Sequence, residues 1–247
     1  MKIEILGNGG AFSKTSTSYL VNDNIMVDCG EATIKTLITD FASPVLDKIE
    51  HLFITHTHSD HINGLEQFLY YRLIKNMFKG IDNLTIYGTP EVLEHYKNLA
   101  FSKDPLNNGV YIQPFKFVVL PWKGTSSNII DDKLHITSIK ADHMNKTLPG
   151  VSLVVVDRYD LGKKFIITGD MDTINQTIYP DLIKKDTYLF HDMGWTGLPD
   201  VDNKYKFHPT EKEVFDYYGE NSNIFGIHTD TELVHYKKAE IGLTIEV

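Results

Sequence analysis

The chain has 247 residues, 42% of them hydrophobic and 23% charged, with a single cysteine and a formal net charge of −9. That length supplies one large core or two small ones, in an ordinary globular composition. An intramolecular disulfide is excluded, and the acidic balance is a poor one for gripping long nucleic acid by its phosphates. No apolar run approaches the roughly 18 residues of a membrane span. The N-terminus enters alternating, strand-like sequence without the apolar stretch of a secretory leader, so a cytoplasmic protein is expected. Cys29 reads as a small buried packing residue.

The chain reads as alternating elements. Residues 2–6 suit a strand with Ile3 and Ile5 on one face. Residues 17–21 and 25–29 suit a strand pair, joined by the turn-forming Asn22, Asp23 and Asn24. A short helix over 30–40 precedes a compact apolar strand over 51–55. A polar loop follows at 56–62, then helical spacing through Leu65, Phe68, Leu69, Leu73 and Met77 over 65–78. Residues 84–87 suit a strand, and 90–99 a helix with proline in its first turn. Segments 110–121 and 133–140 look like antiparallel strands, and 151–156 and 164–168 like buried ones. Residues 174–184 read as a helix, 188–191 as a strand and 211–218 as a helix. Strand 224–228, helix 232–239 and strand 243–247 close the chain. Runs of strands that then alternate with helices, in two halves, predict an α/β sandwich, with 1–247 as a single domain. Polar motifs follow the strands, where open α/β sheets place ligands.

The sharpest of these motifs is Thr55-His56-Thr57-His58-Ser59-Asp60-His61. Three imidazoles and a carboxylate within six residues suit Zn²⁺ or a similar metal such as Mn²⁺. On an extended loop His56 and His58 project the same way and can share one ion. Asp60 and His61 lie beyond the turn and can serve another. Further candidates follow strands: His143, Asp170 after Gly169, and His228. Each alone could be a turn or cap residue, and together they complete two sites.

The order HxHxDH, His, Gly-Asp, His resembles the metallo-β-lactamase superfamily, and does so over nearly the whole chain. Within it the chain is similar to the ribonuclease Z-like branch. The segments 6–10, 27–33 and 53–56 carry that likeness, as do His191-Asp192 and His208-Pro209-Thr210-Glu211. The resemblance implies an αβ/βα four-layer sandwich and two Zn²⁺ per chain, with Mn²⁺ as an alternative. It assigns His56, His58 and His143 to a first metal, Asp60, His61 and His228 to a second, and Asp170 as the bridge. Asp28 would orient a ligand histidine, or cap its strand. Asp60 would also hold the nucleophile's proton, and His208 would protonate the departing oxygen. Pro209 stands where that family often has serine.

Only 27 positions separate His143 from Asp170, which leaves no room for the long arm that tRNA-processing relatives usually carry there. A compact, armless chain of this branch resembles the anti-Pycsar phosphodiesterases of phages and their bacterial relatives. That likeness implies hydrolysis of small 3′,5′-cyclic nucleotides to monophosphates, evasion of cyclic-nucleotide immune signalling, and a homodimer with no long nucleic acid or membrane as partner. The rival readings are a tRNA 3′-processing endonuclease, a lactonase or thioesterase, and a non-catalytic metal- or nucleotide-binding protein. Phe12, Tyr19, Tyr70, Tyr71 and Tyr111 are candidates to stack on a base, or are core and interface residues. Ser13, Thr15 and Asn145 are candidates to touch phosphate, and Trp195 to wall the pocket.

Overall fold

A computed structural model describes residues 1–11, 13–39, 42–76, 83–98, 115–121, 125–130, 132–143, 148–174, 178, 180–194, 207–229 and 232–247. Two seven-stranded sheets face each other. The first contains β1 (Lys2–Gly7), β2 (Ser18–Val21), β3 (Ile25–Val27), β4 (His51–Phe53), β5 (Thr85–Gly88) and β6 (Lys116–Val119), with β14 (Thr244–Glu246) outside β1. The second contains β7 (Thr125–Ile130), β8 (Leu134–His143), β9 (Leu148–Asp157), β10 (Lys164–Ile167), β11 (Thr187–Asp192), β12 (Ile224–Ile227) and β13 (Lys237–Lys238). Each sheet runs antiparallel through its first three pairings and parallel through the rest, from β3 to β6 and from β10 to β13.

Alternation along the strands builds the layers, because successive side chains leave opposite faces of a sheet. In β1, Ile3 and Ile5 enter the core between the sheets, while Leu6 turns to the helical side. In β10, Phe165 and Ile167 enter the same central core, and Ile166 faces away. The outer face of the first sheet packs on helices α1 (Glu31–Leu37), α2 (Ser59–Ile62), α3 (Leu65–Asn76) and α4 (Pro90–Lys97) through Ile34, Ile62, Leu65, Phe68 and Val92. The outer face of the second packs on α5 (Glu211–Tyr218) through Val214 and Tyr218. The result is the expected αβ/βα four-layer sandwich. Asn22 and Asp23, between β2 and β3, both take positive φ (47° and 66°), which these two residue types tolerate.

Three sequence expectations fail. The helix expected over 174–184 is, among the described residues, one 3₁₀ turn at Pro180–Leu182. Pro180 would sit inside that helix, where it lacks an N–H and clashes with the preceding turn. The helix expected over 232–239 is absent. The Glu211 carboxylate accepts the backbone N–H groups of Val234, His235 and Tyr236, and Lys237–Lys238 pair with β12. Among the described residues, segments 110–121 and 133–140 do not pair with each other. Lys116–Val119 joins β5 in the first sheet, while β8 pairs with β9 and with the unforeseen β7. Residues 110–114 lie outside the described set.

Candidate metal centre

The principal motif leaves the end of β4 in the middle of the first sheet. His56 and His58 sit on an extended leg, and Asp60 and His61 on the single helical turn α2. Two backbone bonds tie that turn to the end of β3: Cys29 N–H donates to the His61 carbonyl and Gly64 N–H to that of Cys29, at 2.8 and 2.9 Å. Cys29 itself is buried, as expected. The approach needs Gly30, where a Cβ would lie 2.0 Å from the Asp60 carbonyl oxygen. The second half supplies His143 at the end of β8, Asp170 just past β10, and His228 just past β12. His228 takes φ 58°, and its N–H donates to Asn8 Oδ1 at 2.8 Å.

Together these side chains form two groups whose ligand atoms lie within 4.8 Å of one another: His56, His58, His143 and Asp170, and Asp60, His61, His228 and Asp170. Asp170 belongs to both. Its Oδ2 lies 3.5 Å from His56 Nε2, 3.8 Å from His143 Nε2 and 3.5 Å from His228 Nε2, and its Oδ1 lies 3.2 Å from His61 Nε2. All seven residues singled out in the sequence therefore converge.

The chemistry of the cage fits divalent metal. His56 Nε2, His61 Nε2 and both Asp170 oxygens are buried and find no hydrogen-bond partner among the described residues. Buried polar atoms left without partners are costly, and imidazole with carboxylate is the donor set of Zn²⁺ and of harder ions such as Mn²⁺.

Behind the cage, carboxylates hold the rings. Asp28 Oδ2 bonds His61 Nδ1 at 2.7 Å, and its Oδ1 accepts the Thr55 N–H at 2.7 Å. Asp28 is thus a ring-orienting residue, held at φ 59°. Asp172 Oδ1 lies 3.3 Å from His143 Nδ1. Asp192, at the end of β11, is wholly buried, accepts the N–H groups of Met171 and Gly194, and bonds His208 Nδ1 at 2.8 Å. The His208 ring stacks on His228 with centroids 4.7 Å apart. Neither Asp172 nor Asp192 was assigned from sequence. In the sequence a lone Asp at a strand end is indistinguishable from a cap.

The charges follow from this packing. Burial disfavours a charged His208, but the Asp192 carboxylate overcomes it and raises the imidazole to about 9. Burial likewise opposes ionisation of Asp60, yet its bond to His228 and the nearby His61 bring it down to about 2. Burial takes His143 down to about 3. His61 is also penalised by burial, but Asp170 and Asp28 raise it well above the usual imidazole range. A bound cation would take over the charge-balancing part of the His61 proton, because a ligating imidazole must be neutral.

Other candidates fare unevenly. Tyr19 lies fully buried in the central core, and Tyr71 is tied to Ser43 and Asp47, so neither is placed to stack on a base. Tyr70 is exposed on α3. Ser13 and Thr15 line a cavity beside the centre. Phe12, Tyr111, Asn145 and Trp195 lie outside the described residues.

A four-layer sandwich with this cage at the strand ends defines a metallo-β-lactamase-fold protein of the ribonuclease Z-like kind. The fold matches the metallo-β-lactamase fold protein YhfI from Bacillus subtilis with a TM-score of 0.72 and 17% identity, over 99% of this chain and 98% of that one. Residues 1–239 match the family model of the anti-Pycsar protein Apyc1, and the chain belongs to that family. It is 28% identical to the anti-Pycsar protein Apyc1 of Paenibacillus harenae across 64% of this chain and 65% of that one. It is 34% identical to ribonuclease Z of Latilactobacillus sakei subsp. sakei (strain 23K) across 58% of this chain and 45% of that one. The chain spans about half the length of the ribonuclease Z proteins it matches.

Proposed function

We propose that the protein is a dizinc phosphodiesterase that hydrolyses 3′,5′-cyclic mononucleotides to nucleoside monophosphates and so blocks cyclic-nucleotide immune signalling. The observation that carries this reading is the fused His/Asp cage, with a charged His208 stacked on its edge, in a chain whose β9–β10 link is a short exposed turn at 158–163. Membership in the anti-Pycsar family supports the choice of substrate.

In the cage, His56, His58 and His143 would hold one ion, Asp60, His61 and His228 the other, and Asp170 both. Bound divalent ions supply Lewis acidity: they acidify water and offset the charge that builds on a phosphoryl group. Asp60, a carboxylate at the edge of the cage, accepts the proton of the attacking water. His208, kept protonated by Asp192, donates to the departing ribose oxygen. Asp28 keeps the His61 ring from turning, so that ligand is aligned beforehand. The protein would work in the cytoplasm as a homodimer, for which Tyr70 and Ile74, exposed on α3, offer an apolar face. No helix among the described residues is long and apolar enough to cross a membrane.

The second reading, a tRNA 3′-processing endonuclease, draws on the ribonuclease Z relatives. Metal-quantified protein incubated with 3′,5′-cyclic nucleotides, and separately with a precursor tRNA, separates the two. The expected result is conversion to monophosphates with the tRNA intact, abolished by Asp60→Ala. Trailer cleavage with untouched cyclic nucleotides would overturn it.

A further inference from the structure

Glu211 is the first residue of α5, three positions after His208. Its Oε2 accepts the N–H of Val234 at 2.9 Å, and its Oε1 accepts those of His235 and Tyr236 at 2.5 and 3.0 Å. Val234 lies six positions after His228. One carboxylate thus joins the stretch that follows His208 to the stretch that follows a cage residue. The same two stretches meet a second time, where the His208 ring stacks on His228 with centroids 4.7 Å and planes 26° apart.

Residues 232–236 belong to no helix or strand, and Val234 is 85% exposed, so apolar burial does little to fix their course. Their other anchors also land on α5. The Tyr236 hydroxyl donates to the Gly219 carbonyl at 2.7 Å, and the His235 ring stacks on Phe215 with centroids 4.1 Å apart. A carboxylate suits the task of a clamp. Three successive N–H groups converge on it, and the start of a helix favours negative charge. Burial opposes its ionisation, yet the three donors hold the Glu211 carboxyl below its ordinary range. Bonds to an ionised acceptor are roughly twice as strong as neutral ones.

We propose that Glu211 is a positioning residue: by clamping residues 234–236 to the start of α5, it holds the His208 imidazole against His228, at the edge of the cage where the leaving oxygen is protonated. The proposal rests on the reading of His208 as the proton donor of a phosphodiesterase. Glu211 itself touches neither substrate nor metal position. It acts through His208.

The test is a double-mutant cycle on the zinc-loaded full chain, with a 3′,5′-cyclic nucleotide as substrate. Glu211→Ala should lower kcat about a hundredfold, the cost of displacing a reacting group by roughly 1 Å, and leave KM within about twofold. In a His208→Ala background the same substitution should cost less than about threefold, because the group it positions is already gone. Glu211→Gln keeps one acceptor oxygen and should fall between wild type and Glu211→Ala. It takes the place of Glu211→Ala in the cycle if that variant does not fold. An unchanged kcat, or equal losses in both backgrounds, overturns the proposal, because a merely structural clamp would act alike with or without His208. A second measurement needs no turnover. In the NMR spectrum of zinc-loaded protein, nuclear Overhauser contacts between the His208 and His228 rings should be present in wild type and lost or weakened in the Glu211 variants. If cyclic nucleotides are not hydrolysed at all, the phosphodiesterase reading falls, and these contacts alone decide the positioning role. Their loss upholds it, and their persistence overturns it.

Discussion

At the residue scale, the centre depends on carboxylates that touch no metal position. Asp28→Asn keeps an acceptor for Thr55 N–H but weakens the hold on His61 Nδ1, so metal affinity should fall ten- to a hundredfold with the fold intact. Competition against a chromophoric chelator measures this directly. Asp28→Ala should in addition cost about 1–3 kcal/mol, because the buried Thr55 N–H loses its partner. For His208 the sign is set by Asp192. In metal-free protein its pKa is raised to about 9, so the pair contributes stability that is fully present below about pH 6.5 and is lost as pH rises through 9. Asp192→Asn should erase that loss, and an NMR titration should find the His208 imidazole back near its ordinary range. The seven cage residues were legible in the sequence because histidine and aspartate crowd one short loop and recur after later strands. Asp192, Asp172 and Asn8 were not, because the role of each lies in a contact with a residue distant in sequence.

At the element scale, the site requires close approach of backbones rather than particular side chains. The loop after β3 lies against α2 only because Gly30 has no Cβ. Gly30→Ala should force the two apart, costing about 1–3 kcal/mol in overpacking and displacing Asp60 and His61. A lower denaturant midpoint, together with weaker metal binding, is the expected pair of readings. α5 is fixed at its start by a reciprocal cap, in which the Thr210 hydroxyl accepts from Glu213 N–H and the Glu213 carboxylate from Thr210 N–H. Periodicity found most elements, since strands of four to six residues and helices such as α3 and α5 repeat their apolar positions faithfully. It missed β7, an edge strand opening on Thr125-Ser126-Ser127 that lacks a strand's apolar alternation. It also drew a helix over 232–239, because no local pattern reveals that Glu211 takes up the N–H groups of Val234, His235 and Tyr236.

At the scale of the whole molecule, the cage joins two half-structures. His56, His58, Asp60 and His61 belong to the half built on the first sheet, and His143, Asp170 and His228 extend from the second. The central core already holds the sheets together through residues such as Phe53, Phe165 and Phe190. Yet at the strand ends that core gives way to buried carboxylates and imidazoles, four of whose nitrogens (His56 Nε2, His61 Nε2, His143 Nδ1 and His228 Nδ1) and both Asp170 oxygens lack a hydrogen-bond partner among the described residues. Ions bound there would answer charge from both halves at once, so metal should act as a clasp between sheets as well as a reagent. An ion held a thousandfold above its dissociation constant stabilises the folded state by about 4 kcal/mol. In a domain of this size that corresponds to roughly 10 °C of melting temperature. Calorimetry with and without chelator should show a drop of that order, restored by Zn²⁺. Hydrogen exchange should locate the loosening in both halves, at the ends of β4 and α2 and at those of β10 and β12. Protection lost on one side alone would mean that the metal serves one half and that the central core does the joining.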